Sequence, residues 1–173
     1  MEQKRNHILG FLAGFLVLTA LDQWSKSLAV KYLKGKAPYV VWNGVFELFY
    51  SENRGAAFGI LQGKQKFFFV IALVVFGIIL YAMAKLPANR RYVPFELCMT
   101  VVAAGAAGNL IDRLFQGYVV DFLYFKLINF PIFNVADCYV TVATGMLMVL
   151  FLCVYKDEEF DVLIPHRKGR KEN

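Results

Sequence analysis

The sequence predicts an α-helical membrane protein: four transmembrane helices with a small extracytoplasmic β-sheet, or cradle, and a loop. Three observations carry that prediction. The chain is 58% hydrophobic and 18% charged, with a mean hydropathy of +0.50, whereas soluble domains run at about 45–50% apolar and about 25% charged. Its charged residues bunch at the ends and in a few loops. Apolar runs close to membrane-spanning length recur along it. Residues 1–173 fit one membrane domain.

The elements follow in order. MEQKRNH is a short basic head, and Ile8–Leu21 is an apolar run whose helical pattern continues to about Val30. A basic head before such a run could open a signal peptide, but Leu18-Thr19-Ala20 is a poor cleavage site and more membrane sequence follows. An uncleaved first span, 8–30, is expected. Residues 31–66 are polar and glycine-punctuated. Within them Tyr39–Trp42 and Val45–Tyr50 are β-branched and aromatic around Asn43-Gly44, which predicts a hairpin on one membrane face. The loop NRGAAFG follows it. Phe67–Ala84 meets the ~18–20 residues needed to cross the hydrocarbon core, giving a second span over 67–85. The third span, 95–115, has the small-residue centre Ala103–Gly108, suited to close helix packing. Residues 116–133 read as a second loop, 134–155 as the fourth span, and Lys156–Asn173 as a charged, frayed tail.

Four spans put both termini on one side. Short segments on that side carry Lys4, Arg5, Lys85, Arg90 and Arg91 densely, so both termini are expected in the cytoplasm. The net charge of +6 does not imply nucleic acid, because the basic residues flank apolar runs and form no aromatic-interleaved patch. Cys98, Cys138 and Cys153 sit in apolar helical sequence and read as small buried hydrophobes, with no disulfide framework. His7 and His166 lie in the terminal segments, which removes Ser–His and Cys–His catalysis at the other end. There is no HExxH and no Walker A loop.

What needs explaining is Gly105–Asp137, where Asn109, Asp112, Arg113, Asp121, Asn134 and Asp137 fall in or beside apolar sequence. An acid at the centre of a span costs about 2.5–3.5 kcal/mol on insertion scales. Asp22, Asp112, Asp121 and Asp137 all fall near the same end of their spans. Asp22 shares a helix face with Ser25, as Asn109 does with Asp112 and Arg113, and Asn134 with Asp137; Thr141 and Thr144 extend the last stripe. For Asp112 a structural ion pair, with Arg113 as the neighbouring partner, or a helix-end tether is the simpler reading, Asp22 reads equally as a helix tether or a ligand-positioning group, and Lys26 reads as a snorkelling interfacial lysine. Phe122, Tyr124, Phe125, Phe130 and Phe133 read as an aromatic belt that could also line a pocket. Asp121 and Asp137 resist such readings. Two carboxylates brought together at an apolar boundary share a proton. One then takes a proton from water while the other polarises an amide carbonyl. Spacing does not show that the two meet, and a carboxylate-bound Mg²⁺ on Asp112, Asp121 and Asp137 also fits it.

Four blocks, in order, resemble the lipoprotein signal peptidases (signal peptidase II) of bacteria. They are Asp22–Lys26 (DQWSK), Asn53–Gly59 (NRGAAFG), Gly105–Arg113 with Gly117–Phe122 (GAAGNLIDR, GYVVDF), and Phe133–Asp137 (FNVAD). The resemblance implies an aspartic endopeptidase of the bacterial inner membrane. Such an enzyme removes the signal peptide of a prolipoprotein just before a diacylglyceryl cysteine, at the extracytoplasmic face. It implies Asp121 and Asp137 as the catalytic pair and Asn53, Asn109, Arg113 and Asn134 as groups that position the pair or bind the substrate backbone. Asp22 and Asp112 would support them, and residues 31–66 would form a cradle and flap. Prolipoprotein and membrane lipid are the implied partners, globomycin-type peptides the inhibitors, and no cofactor or metal is implied. The alternatives are a metal-dependent membrane lipid transferase, a small ion-coupled transporter, which would want acids near the midplane and broken helices, and a structural assembly subunit.

Overall fold

The structure is a computed structural model that describes residues 2–55, 64–161 and 163. It contains four helices long and apolar enough to cross a membrane. α1 spans Glu2–Leu33, α2 Gln65–Lys85, α3 Val93–Gln116 and α4 Val135–Val149, the last continued by a π-helical turn, Leu150–Val154. α3 is the hub, packing against each of the other three. Its Ala103, Ala104, Gly105, Ala107 and Gly108 are buried, because small side chains let neighbouring backbones close in without a gap.

Gly108 shows what that closeness serves. A Cβ there would run into the Asp22 carboxylate of α1. Gly108→Ala is therefore expected to push α1 from α3 and lower the thermal midpoint of the detergent-solubilised protein. The cost should be on the order of 1–3 kcal/mol, the usual range for overpacking. Gly77→Ala, where a Cβ meets nothing within 4 Å, should leave the midpoint unchanged. Equal midpoints for the two variants would contradict this account of the packing.

The sheet is three-stranded, in the order β1-β2-β3 and antiparallel throughout. β1 is Tyr39–Trp42 and β2 is Phe46–Asn53, joined at Asn43-Gly44 with the Val45 amide donating to the Trp42 carbonyl at 3.0 Å. β3 is Val119–Phe125. Residues 116–133, read from sequence as a loop, thus supply a strand whose partner, β2, lies far upstream. α3 can turn straight into β3 because Gly117 caps it at φ 76°, a left-handed conformation that glycine adopts without a Cβ penalty. Val120 and Phe122 bury against Ala29 of α1. A short bridge then pairs Leu123 with Phe133, with the Phe133 amide donating to the Leu123 carbonyl at 3.0 Å.

At the opposite end of the bundle the described residues just beyond α4 are folded, where the sequence predicts a frayed tail from Lys156. Residues 156–160 fold back, so that Arg91 reaches both carboxylate oxygens of Glu159 at 2.9 and 3.0 Å. Tyr92, Phe95, Tyr155 and Phe160 close an aromatic cluster beneath them. The apolar and aromatic residues of this segment gain burial by returning, which a wholly polar tail would not. Residues 164–173, including His166, lie outside the described residues.

Candidate active site

The strands and helix ends fix each polar side chain in turn. Ser51 of β2 lies opposite Asp121 of β3. Asn53, two residues on, shares its face, and its amide donates to Asp121 Oδ2 at 2.9 Å. The other Asp121 oxygen accepts from Asn134 Nδ2 at 2.6 Å. That contact follows from the Leu123–Phe133 bridge, which delivers the next residue, Asn134, to the middle of β3.

Asn134 caps α4. Its Oδ1 accepts from the Asp137 backbone amide at 3.0 Å, and its own backbone amide donates to Asp137 Oδ2 at 3.1 Å. This reciprocal capping box satisfies donors that a helix start leaves orphaned. It also locks the Asp137 carboxyl beside Asn134, so one asparagine holds both aspartates. Asn109 of α3 donates to Asp137 Oδ1 at 2.8 Å and accepts from Asn134 Nδ2 at 3.1 Å.

Behind the asparagines lies a buried ionic cluster. Lys26, only 2% exposed, contacts Asp22 Oδ2 at 2.9 Å, Asp112 Oδ2 at 3.2 Å and Asn109 Oδ1 at 2.9 Å. Asp22 Oδ1 accepts from the Ala136 amide at 2.9 Å, tying α1 to the start of α4. Asp112 Oδ2 also accepts from the Val120 amide at 3.0 Å, tying α3 to β3. Gln23 Nε2 spans Asp22, the Gly108 carbonyl and Asp112 at 3.0–3.2 Å. The expected Asp112–Arg113 pair is therefore replaced: Asp112 faces α1, and Lys26 is a buried ion-pair partner rather than a snorkelling lysine. Helix geometry explains the difference, since residues adjacent in sequence point about 100° apart around the axis and do not face each other. Arg113 turns to the other side, where it donates to the Asn109 and Gly55 carbonyls at 3.3 and 3.1 Å and lies 4.3 Å above the Phe68 ring. Lys26 and Gln23, inside the DQWSK block, are the members of this network whose contacts the sequence did not reveal. The signal available in sequence was the acid–lysine pair Asp22 and Lys26, four apart on one span.

Asp121 and Asp137 line one cavity of about 570 Å³. Asn53, Asn109 and Arg113 share its wall with apolar Phe68, Phe130, Ile132, Phe133 and Val142. Phe130 and Phe133 thus line a pocket, while Phe122 is buried behind the sheet. Thr141 faces the cavity too. Of the three cysteines only Cys98 is buried; Cys138 lines this cavity and Cys153 is exposed, contrary to the expectation of three buried thiols. Burial, then the negative charge of Asp137, raises the Asp121 carboxyl to about 7, against the opposing hydrogen bonds from Asn53 and Asn134. Asp121 therefore keeps a proton readily near neutral pH, and the arrangement sets two carboxyl groups on one cavity with amide donors behind them. Asp112 is committed elsewhere, so the three acids do not converge as one ligand set; no group of three or more metal-ligating side chains forms among the described residues. The part of the expected flap at 56–63 lies outside those residues.

Comparison with known proteins agrees with the motif blocks. The family profile described as Signal peptidase (SPase) II matches residues 14–153. The chain belongs to the signal peptidase II family. Lipoprotein signal peptidases of Caldanaerobacter subterraneus and Halalkalibacterium halodurans are 47% and 41% identical to it, over 79% and 91% of this chain and 90% and 94% of theirs. Two solved bacterial membrane enzyme structures, determined in meso at 2.3 and 1.9 Å resolution, superpose with a TM-score of 0.73 each. The first, 24% identical, covers 94% of both chains and speaks to the fold; the second is 28% identical over 86% of this chain and 96% of its own. The protein is thus a membrane peptidase of the signal peptidase II family. The matched range takes in the whole ionic cluster and both aspartates, while the segment returning through Phe160 lies beyond it.

Proposed function

We infer that the protein removes signal peptides from prolipoproteins, cutting before a diacylglyceryl-modified cysteine by an aspartic mechanism. The observation that carries the mechanism is the placement of Asp121 and Asp137 on one cavity wall, both bonded to Asn134. Asp137, carrying the charge, takes a proton from a water held between the carboxyls. Asp121, carrying the shared proton, donates to the scissile carbonyl oxygen and stabilises the developing tetrahedral oxyanion. As the C–N bond breaks, the proton gained by Asp137 passes to the departing amine and the hydroxyl formed on the former carbonyl oxygen returns its proton to Asp121, which restores the pair. Asn53 and Asn109 keep the two carboxyls aimed, and Arg113 meets the substrate backbone at the cavity mouth. Apolar walls suit the signal helix and acyl chains. The site belongs at the extracytoplasmic face of the bacterial inner membrane, with both termini in the cytoplasm. A membrane-confined substrate and a supply of water meet there, and globomycin-type peptides would compete for the same cavity. The transferase and transporter readings draw no support from a site at one end of the bundle with its acids aimed at one another's neighbours.

Cleavage of a diacylglyceryl-modified prolipoprotein by the protein in lipid nanodiscs, against the same precursor without the lipid, tests this function. Only the lipidated form should be cut. The rate should be steady at mildly acidic pH and fall as pH rises through about 7, where Asp121 loses the shared proton. A rate that stays level from about pH 6 to about pH 8.5 would remove Asp121 from the role of acid.

A further inference from the structure

An asparagine side chain has two ends of nearly the same shape, so its orientation is decided by the groups around it. For Asn109 those groups are Lys26, Asn134 and Asp137. With its oxygen toward the Lys26 ammonium, its amide faces the Asp137 carboxylate. Turned over, it would set N–H against both the ammonium and the Asn134 amide, and carbonyl oxygen against a carboxylate. We propose that Lys26 is a positioning residue for the peptidase reaction: it locks the Asn109 amide in the orientation that serves Asp137 and, through Asn134, steadies Asp121. The inference rests on reading those two aspartates as the catalytic pair.

Three features support it. Each of the three ammonium donors has its own acceptor, Asp22 from α1 and Asp112 and Asn109 from α3, so the cation is held at a fixed point. Both acids are also held by backbone amides, Ala136 and Val120, so neither depends on Lys26 alone. The bond to the neutral Asn109 is the one that a purely charge-balancing lysine would not require. The charged groups facing this network are Asp22 on α1, Asp112 and Arg113 on α3, Asp137 on α4 and Asp121 on β3.

Lys26→Met and the double variant Lys26→Met with Asp112→Asn separate positioning from charge balance. The double variant removes a cation and an anion together, leaving Asp22 with its Gln23 and Ala136 donors, so it should insert and melt above Lys26→Met. Its kcat on the lipidated precursor is nevertheless expected to stay about 10–100-fold down with KM within about twofold, the signature of an interaction made at the reacting groups. Wild-type kcat in the double variant would reduce Lys26 to a counter-ion and overturn the proposal. Lys26→Gln supplies N–H donors without charge and should recover several-fold of the kcat lost in Lys26→Met; equal kcat in the two would also overturn it. Wild type and Asp137→Asn, run alongside, keep the two readings apart. Failure of wild type to cleave, or cleavage by Asp137→Asn, sinks the aspartic mechanism, whereas wild-type behaviour of the double variant sinks only the role of Lys26.

Discussion

Asp121→Asn and Asp137→Asn are each expected to abolish cleavage of a diacylglyceryl prolipoprotein, slowing it by at least about 10²–10⁴-fold, the range contributed by a positioned acid or base. The two should differ in how much stability they lose. Both Asp121 oxygens accept amide N–H groups, from Asn53 and Asn134. An asparagine there turns one oxygen into a donor facing a donor, which leaves a buried group unpaired at about 1–3 kcal/mol. Asp121→Asn should therefore lose some thermal stability as well as turnover. Asp137 also has both oxygens accepting, from the Asn134 backbone amide and Asn109 Nδ2, so an asparagine there sets one donor against another as well. It is half-buried, so water takes up part of that loss, and the variant should be inactive with a smaller drop in stability than Asp121→Asn. Release of signal peptide in nanodiscs, with a melting curve for each variant, reads both effects. Normal turnover by a well-folded Asp121→Asn protein would end the case for the pair.

The second large effect is at Asn134. This side chain caps α4, bonds Asp121 and reaches Asn109, all at 0% exposure. Asn134→Ala loses everything, including a cap interaction of roughly 1 kcal/mol. Asn134→Ser keeps the cap, since a serine hydroxyl also accepts from the third helical amide, but it has no N–H donors to offer Asp121 and Asn109. The serine variant should therefore melt above the alanine variant while cleaving about 10–100-fold more slowly than wild type. Serine activity equal to wild type would show that the cap, not the bond to Asp121, is what Asn134 supplies.

The helices were legible because a bilayer demands long apolar runs with internally satisfied backbones, and composition alone supplies those runs. The polar residues of the site stood out for the converse reason, that uncompensated charge in such surroundings is costly. β3 was not legible. Val119–Phe125 has no turn joining it to a neighbouring strand, and its partner is distant, with Asn53 and Asp121 separated by 68 positions. Lys26 was misread because a lysine near a span end is ordinarily free to reach water. Nothing nearby in sequence says that Asn109 and Asp112 of another helix will close over it, 83 positions from Lys26 in the case of Asn109. The folded segment beyond α4 was hidden by its charges, because Glu159 and Arg91 look like solvated groups until the chain turns back and pairs them.

By itself the sequence determined the membrane class, the number and approximate limits of the spans, the hairpin turn and the set of acids and amides available for chemistry. These depend on local composition and on spacings within a few residues, which the chain carries wherever it goes. Only the tertiary structure decided which of those groups meet. A small-residue face on α3 admits α1 and α4, a strand pairing delivers Asp121 to Asn53, and a bridge delivers Asn134 to Asp121. Each of these contacts joins segments far apart in the chain. Their energies come from close packing and from burying donors with acceptors, which no single segment contains on its own.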